Sequence, residues 1–331
     1  MSLKPMIVIT GAAGLIGSGV VRYLNDLGYG HLVLVDDLKD GEKWKNLVGK
    51  EFVTLISRYA LFDWLKGRED EVDAVIHLGA CSDTVETNAD YLMENNVRFS
   101  IRLAEWALGF NKRFIYASSA STYGDGALGF SDDESMIGSL KPLNMYAFSK
   151  QLVDLWMKRE NVLGRVVGLK YFNVYGPNEY HKKHMASMVF KMMQKAKSDG
   201  VIQLYKSNDP AFADGGQLRD FIYVKDAVRM TCAFLEPQYR SVGGLFNIGQ
   251  GIATTWNELA DALFSALGVK TNIQYVDMPS ALIGQYQNYT CADMSKWQRQ
   301  FGANPSLCRV TPVQEAVLDY VQGYLLTQAR W

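Results

Sequence analysis

The chain has 331 residues, enough for one large domain or two smaller ones with a full core. A hydrophobic fraction of 48% with a charged fraction of 21% fits a soluble globular protein, and no apolar run reaches the roughly 18 residues that a bilayer span requires. The net charge of −1 excludes general electrostatic attraction to nucleic acid or an anionic membrane.

Met6 to Thr10 (M-I-V-I-T) is a short apolar run ending at glycines, the pattern of a buried parallel strand. Leu15, Ile16, Val20, Val21, Leu24 and Leu27 then recur at helical spacing until Gly28 and Gly30 stop the segment. His31 to Val35 reads as the next strand and closes on Asp36 and Asp37. Ala74 to His77 and Phe114 to Ala117 are further strands, with a helical stretch around Tyr91 to Leu108 between them. Val166 to Phe172 is counted as the sixth strand. Strands alternating with helices predict an α/β fold, a Rossmann-type doubly wound parallel sheet.

After Tyr175-Gly176-Pro177 the character changes. Polar, glycine-bearing loops such as Ser207 to Gln217 appear, with amphipathic helices around Met185–Lys197 and Trp256–Leu267. This is expected to be a smaller α+β substrate domain that the chain enters more than once. Residues 174–220, 251–287 and 302–331 are assigned to it, and residues 1–173, 221–250 and about 288–301 to the dinucleotide-binding domain. Arg219 to Asp226 (R-D-F-I-Y-V-K-D) and Phe246 to Gly249 read as returns to the first domain. No internal repeat or low-complexity tract is visible.

Cys81, Cys232, Cys291 and Cys308 are scattered, with no C-x-x-C pair and no histidine cluster, so buried reduced thiols and no metal site are expected. No signal peptide precedes the first strand, and a cytoplasmic enzyme fits these features.

Gly11, Gly14 and Gly17 lie between a strand and a helix. There they permit a tight turn, close backbone approach to a pyrophosphate, and close helix–strand packing. Asp36 follows roughly 20 residues on, where a carboxylate binds the adenosine ribose. A carboxylate at that place favours NAD, whereas Lys39, Lys43 and Arg58 can neutralise the 2′-phosphate of NADP. Downstream, Tyr146 and Lys150 stand four residues apart at a helix start, so phenol and ammonium share a helix face. A tyrosine pKa of about 10 is too high for a base near neutrality, and a neighbouring cation is expected to lower it. The serine pair Ser118 and Ser119 lies upstream. A nicotinamide-dependent enzyme follows.

T-G-A-A-G-L-I-G, the serine segment and Y-x-x-x-K together resemble the extended short-chain dehydrogenase/reductase family, whose members remodel nucleotide-activated sugars. The likeness spans the whole chain. It narrows, at V-D-D-L-K-D-G, G-A-C-S, Y-F-N-V-Y-G-P, H-K followed by M-A-S, and R-D-F-I-Y-V-K-D, to the family's epimerases of ADP-activated heptose. That resemblance implies a C6 inversion for lipopolysaccharide core synthesis, through transient oxidation and re-reduction on a bound nicotinamide, with NADP as cofactor (NAD the alternative) and a homo-oligomer.

Carried over residue by residue, the resemblance implies Ser119, Tyr146 and Lys150 as the catalytic triad, with Lys182 as a second acid/base. Leu15, Ile16, Asp36, Asp37, Lys43, Arg58, the stretch Leu78, Gly79, Ala80, Cys81 and Ser82, and Asn95 fall at dinucleotide positions. Asn173, Val174, His184, Lys191, Tyr205, Arg219 and Tyr286 fall at substrate positions, with Ser119. The chain departs from the pattern at Asp37, commonly asparagine, and at Arg58, which can be lysine. His184 and Lys191 replace a serine and a histidine, and the loop Ser207–Gln217 is longer than usual. Lys182 has a plainer reading as a solvated charge, Tyr286 as a packing residue, and Arg219 as a structural partner of Asp220. Ala120 and Ser121 stand where sugar-nucleotide dehydratases of the family carry an acidic pair, so elimination is disfavoured. A UDP-hexose 4-epimerase, and a non-catalytic dinucleotide-binding scaffold or redox sensor, remain the rival readings.

Overall fold

The computed structural model describes residues 5–280 and 286–331. In chain order the strands are β1 (Met6–Thr10), β2 (Leu32–Val35), β3 (Thr54–Ile56), β4 (Val72–His77), β5 (Arg113–Ser119), β6 (Val166–Tyr171), β7 (Asn173–Tyr175), β8 (Ile202–Tyr205), β9 (Leu218–Tyr223), β10 (Gly244–Ile248), β11 (Ala253–Thr255) and β12 (Ile273–Val276). The helices used below are α1 (Leu15–Asp26), α2 (Leu61–Leu65), α3 (Ala89–Leu92), α4 (Phe99–Gly109), α5 (Met145–Arg159), α6 (Met188–Asp199), α7 (Val224–Ala233) and α8 (Trp256–Leu267).

Seven parallel strands form the main sheet in the order β3-β2-β1-β4-β5-β6-β10. Both faces are buried, as parallel sheets require, and the side-chain period of two sends alternate residues into two cores. Along β1, Ile7 and Ile9 enter the core that also holds Val20, Val21 and Leu24 of α1 and Val224, Ala227 and Val228 of α7. Met6 and Val8 enter the opposite core, with Leu61 and Leu65 of α2, Leu103 and Ala107 of α4, and Val153 and Met157 of α5. Burying each Val, Leu, Ile or Met among them contributes about 1.5–3 kcal/mol. The doubly wound fold is as expected. The strand unassigned before Val166 is β3, a half-buried edge strand of three residues that carries no pattern of its own.

Strand order reverses direction at β1, with β2 on one side and β4 on the other. This is the switch point outside whose carboxyl ends doubly wound folds bind ligands. Two small sheets lie beyond it. One is β11-β9-β7, with β7 parallel and β11 antiparallel to β9; the other is the parallel pair β12-β8.

Three expectations change. The R-D-F-I-Y-V-K-D segment splits, because β9 joins the three-stranded sheet while only α7 returns to pack on α1. The helix expected around Tyr91–Leu108 is α3 and α4 joined by a π-helical turn, Met93–Arg98. Of the four cysteines expected to be buried, only Cys232 is fully so, and Cys81, Cys291 and Cys308 are partly exposed. The helix around Trp256–Leu267 forms as read, and its Thr255–Glu258 capping box explains its start. Among the described residues, no helix is long and apolar enough to cross a membrane.

Candidate active site

Gly11 turns the chain after β1 in the left-handed region (φ +67°), where a side chain is strained. A Cβ there would also stand 2.7 Å from the Gly79 nitrogen, and one on Gly17 would collide with the Gly11 carbonyl oxygen. Gly14 is the N-cap of α1. No side chain caps this helix and no acid occupies its first turn, so the leading amides lack partners and sit at the positive end of the helix dipole. A bare-backbone cradle at a helix N-terminus fits a diphosphate.

The adjoining wall ends in paired charges. The Asp36 carboxylate accepts from Ala13 N at 2.8 Å and from Lys43 Nζ. Asp37 accepts from Ser57 Oγ at 2.8 Å and lies 2.8 Å from Arg58 Nε. Both acids are therefore neutralised by the cations that the sequence placed there. The Arg58 guanidinium also stacks 4.6 Å over the Tyr59 ring.

At the opposite end, Asn144 caps α5 by accepting from Ala147 N at 2.8 Å, a cap worth about 1 kcal/mol. That start puts Tyr146 in the first turn and Lys150 one turn later. Ser119 ends β5, its hydroxyl 2.7 Å from the Ser121 hydroxyl, so neutral groups occupy the position of the dehydratase acids. Burial pushes the Tyr146 phenol up from its ordinary pKa, opposed by a hydrogen bond with Ser119 and reinforced by nearby Cys81. Burial also brings Lys150 down to about 8, and its ammonium donates to the Ala117 carbonyl at 2.9 Å. The lowering of the phenol expected from Lys150 is thus not supplied by the polypeptide alone.

One cavity of about 820 Å³ joins these parts. It is lined by Gly11, Gly14, Leu15, Ile16, Gly17, Asp36, Asp37, Lys43, Arg58, Leu78 to Ser82, Asn95, Ser119, Tyr146, Lys150, Val174 and Lys182. Burial holds the half-buried Lys182 amine below its ordinary pKa, Glu179 opposing and Lys191 assisting.

The remaining substrate candidates lie outside the lining of that cavity. Asn173 is exposed at the start of β7. His184 is bound at 2.9 Å to Asp83. Lys191 stands on α6, close enough to Lys182 to repel it. Arg219, Tyr205 and Tyr286 assemble a separate group with Trp256. The guanidinium lies 5.0 Å over the Tyr286 ring and 5.7 Å over Trp256, Trp256 Nε1 donates to the Tyr286 hydroxyl at 2.9 Å, and Tyr205 meets Tyr286 edge-on at 6.4 Å. Arg219 does not pair with Asp220, whose carboxylate instead accepts from Gln250 N, Gly251 N and Ala292 N at 2.7–2.9 Å.

Sequence reasoning missed the supports beneath the cavity. His77 is wholly buried, with Nδ1 2.6 Å from Thr10 Oγ1 and Nε2 2.8 Å from Ser100 Oγ. Asn96, in the π-helical turn, accepts from Cys81 N at 2.8 Å and donates to Cys81 O at 2.9 Å and Ser149 Oγ at 3.0 Å. Ser149 Oγ donates in turn to the Tyr146 carbonyl. Asn96 thereby holds the Gly79–Ser82 loop against the first turn of α5. The only signal for it was its place beside Asn95.

Residues 7–249 match the family described as "NAD dependent epimerase/dehydratase family". The chain is 48% identical over 322 residues to the ADP-L-glycero-D-manno-heptose-6-epimerase of Nitratidesulfovibrio vulgaris, covering 97% of this chain and 98% of that protein. It is 42% identical over 331 residues to the protein of the same name from Fusobacterium nucleatum, covering 97% and 98%. The crystal structure of the Helicobacter pylori ADP-L-glycero-D-manno-heptose-6-epimerase is similar with a TM-score of 0.76 at 26% identity, over 97% of this chain and 96% of that one.

Proposed function

We infer the function from one premise: the chain belongs to the NAD dependent epimerase/dehydratase family. It is an isomerase that inverts C6 of an ADP-activated glycero-manno-heptose, the reaction named in its relatives over nearly their full length. The observation that carries this reading is that Ser119, Tyr146, Lys150 and Lys182 line the same cavity as the glycine cradle and Asp36. When bound, a nicotinamide supplies the acceptor and donor of the C6 hydrogen, and its positive ring supplies the cation that the buried phenol lacks.

The side chains do the rest. Ser119 holds the C6 oxygen by hydrogen bonding, a contact that strengthens as charge develops there. Tyr146 takes or returns the hydroxyl proton when the sugar lies one way round. Lys182, already below its ordinary pKa through burial, does so in the other orientation. Lys150, anchored by Ala117, stands one helical turn from Tyr146 and is placed to hold the ribose of the bound nicotinamide. With Ala120 and Ser121 in place of acids, nothing at the end of β5 promotes loss of water. Arg219, without a carboxylate partner among the described residues and clustered with Tyr205 and Tyr286, is suited to the diphosphate of the sugar nucleotide.

NADP is the dinucleotide we assign. Asp36 and Asp37, which would repel a 2′-phosphate, are each paired with a cation that lines the cavity, Lys43 and Arg58. Mass analysis of the dinucleotide released on denaturation tests this. A homo-oligomer is expected, since Leu143, Met145 and Phe148, at the start of α5, are exposed; light scattering of the purified protein reads it. The deciding assay offers the protein an ADP-heptose and UDP-galactose in parallel. Epimerisation of the heptose at C6 supports the reading, and turnover of UDP-galactose alone overturns it.

A further inference from the structure

Asn46 is a buried side chain with no place in the chemistry above. It lies in the 3₁₀ turn Lys43–Leu47, beyond the lysine that pairs with Asp36. Its Nδ2 donates to the Ala13 carbonyl and to the Asn178 carbonyl, both at 2.9 Å. Its Oδ1 accepts from Arg330 Nε at 3.2 Å. Both amide hydrogens are used, and the reversed amide would set an oxygen against two carbonyls, so the orientation is determined. Ala13 belongs to the glycine cradle, where its own N–H is held by Asp36. Asn178 opens the segment that leads into Lys182.

Further contacts brace the same segment. Asn178 Oδ1 accepts from Trp331 N and its Nδ2 donates to Trp331 O, each at 2.9 Å. The Arg330 guanidinium stacks 4.9 Å over the Tyr180 ring. The buried Glu179 carboxylate accepts from Ser187 Oγ at 2.7 Å and from the Tyr320 hydroxyl at 2.9 Å, which ties the segment towards α6. Asn46 reaches the dinucleotide cradle directly, at Ala13, whereas Asn178 reaches it through Ser18, whose Oγ accepts from Asn178 Nδ2 at 2.9 Å and donates to the Gly14 carbonyl at 2.6 Å. Immediately after Lys182 the backbone of Lys183 is left-handed (φ 51°, ψ −123°), a conformation that persists only where the surroundings impose it. A lysine ammonium on its flexible stem is placed by its backbone, so what fixes this turn fixes Lys182.

We propose that Asn46 is a positioning residue for Lys182, setting the distance between the dinucleotide cradle and the turn that carries the second acid/base. The inference rests on the role given to Lys182 under the proposed function. Its effect falls on one of the two sugar orientations, the one whose hydroxyl proton Lys182 handles.

The test is single-turnover oxidation of each C6 epimer of the ADP-heptose by the protein with its nicotinamide dinucleotide bound. It is read as the absorbance of the reduced nicotinamide and expressed per bound dinucleotide. Lys182→Ala identifies the epimer that depends on Lys182. Asn46→Ala is expected to shift the ratio of the two rates by about tenfold or more in the same sense, and Arg330→Ala, which leaves Asn46 in place, by about threefold. An Asn46→Ala protein that slows both epimers equally, or neither, overturns the inference, since loss of packing or of dinucleotide has no preference between epimers. If Asn46→Ala does not fold, Asn46→Ser, whose shorter side chain cannot span the Ala13 and Asn178 carbonyls, decides in the same way, an unchanged ratio overturning the proposal. If Lys182→Ala itself slows both epimers equally while the unsubstituted protein turns over, the role of Lys182 falls and this inference with it. An unequal effect of Lys182→Ala beside an equal effect of Asn46→Ala overturns this inference alone.

Discussion

The proposed dinucleotide site presents backbone, and the proposed sugar site presents long side chains. At the first, Gly11, Gly14 and Gly17 clear space at the head of α1, and Asp36 is fixed against Ala13 N. At the second, Lys182 sits on a 3₁₀ turn held through Asn178 and Glu179 by Asn46, Trp331 and Tyr320, and Arg219 lies on a short sheet against Trp256 and Tyr286, partners drawn from distant parts of the chain. Backbone recognition needs few residues but tolerates no Cβ. Side-chain recognition tolerates change at any one brace and spreads its cost over many.

The comparison is broken most forcefully at the point where the two ends meet. Tyr146→Phe should lower turnover about 10³-fold, the weight of a positioned proton donor and acceptor, while the protein keeps its dinucleotide. Near-normal turnover would remove Tyr146 from the chemistry and leave the cavity a binding site only. At the backbone end, Gly17→Ala should lose the dinucleotide and destabilise the fold by roughly 3 kcal/mol, because its Cβ meets the Gly11 carbonyl. Retention of dinucleotide with an unchanged urea midpoint would contradict the cradle.

A third measurement sharpens the same end. His77, beneath the glycine turn, is held neutral by burial, its pKa brought down to about 3 from 6.5. The unfolded chain takes up a proton as pH falls through 6.5 and the fold does not until about 3, so stability is complete above 6.5 and lost progressively below it. Between pH 7 and pH 4 this costs about 3 kcal/mol. Urea titrations of His77→Gln should show an acid loss smaller by that amount; an equal loss would place the acid sensitivity elsewhere. The smallest effect is expected at the side-chain end. Arg219→Ala should raise the KM for the sugar nucleotide about tenfold, the weight of one charge-assisted hydrogen bond, with kcat within about threefold. A loss in kcat at constant KM would move Arg219 from binding to chemistry.

The legibility of the two ends followed the same division. The strands β1, β2, β4, β5 and β6 were readable because burial on both faces demands uninterrupted Val, Ile and Leu. The glycine spacing and the Tyr146–Lys150 pair were readable because each is local, set by one turn or one helical repeat. β3 and the short strands β7, β8, β11 and β12 were not, since each is both short and only partly buried, without the unbroken apolar run that marks β2. Lys182, Arg219 and Tyr286 were reached by resemblance rather than by pattern. His77 and Asn96 were missed because a buried polar side chain declares itself only through its partners.

Order along the chain and the period of its apolar residues thus settled the doubly wound sheet, the cradle after β1 and the pairing of a phenol with an amine on α5. The folded protein settled which charges cancel, as Asp36 with Lys43 and Asp37 with Arg58, and that burial raises Tyr146 while lowering Lys150. It also settled that Asn46, Asn178 and Arg330 meet around the turn bearing Lys182. Local patterns are written by neighbours a few bonds apart. Desolvation and ion pairing depend on which atoms exclude water from one another, and folding brings those atoms together across separations that no local period links, from 7 residues at Asp36 and Lys43 to 284 at Asn46 and Arg330.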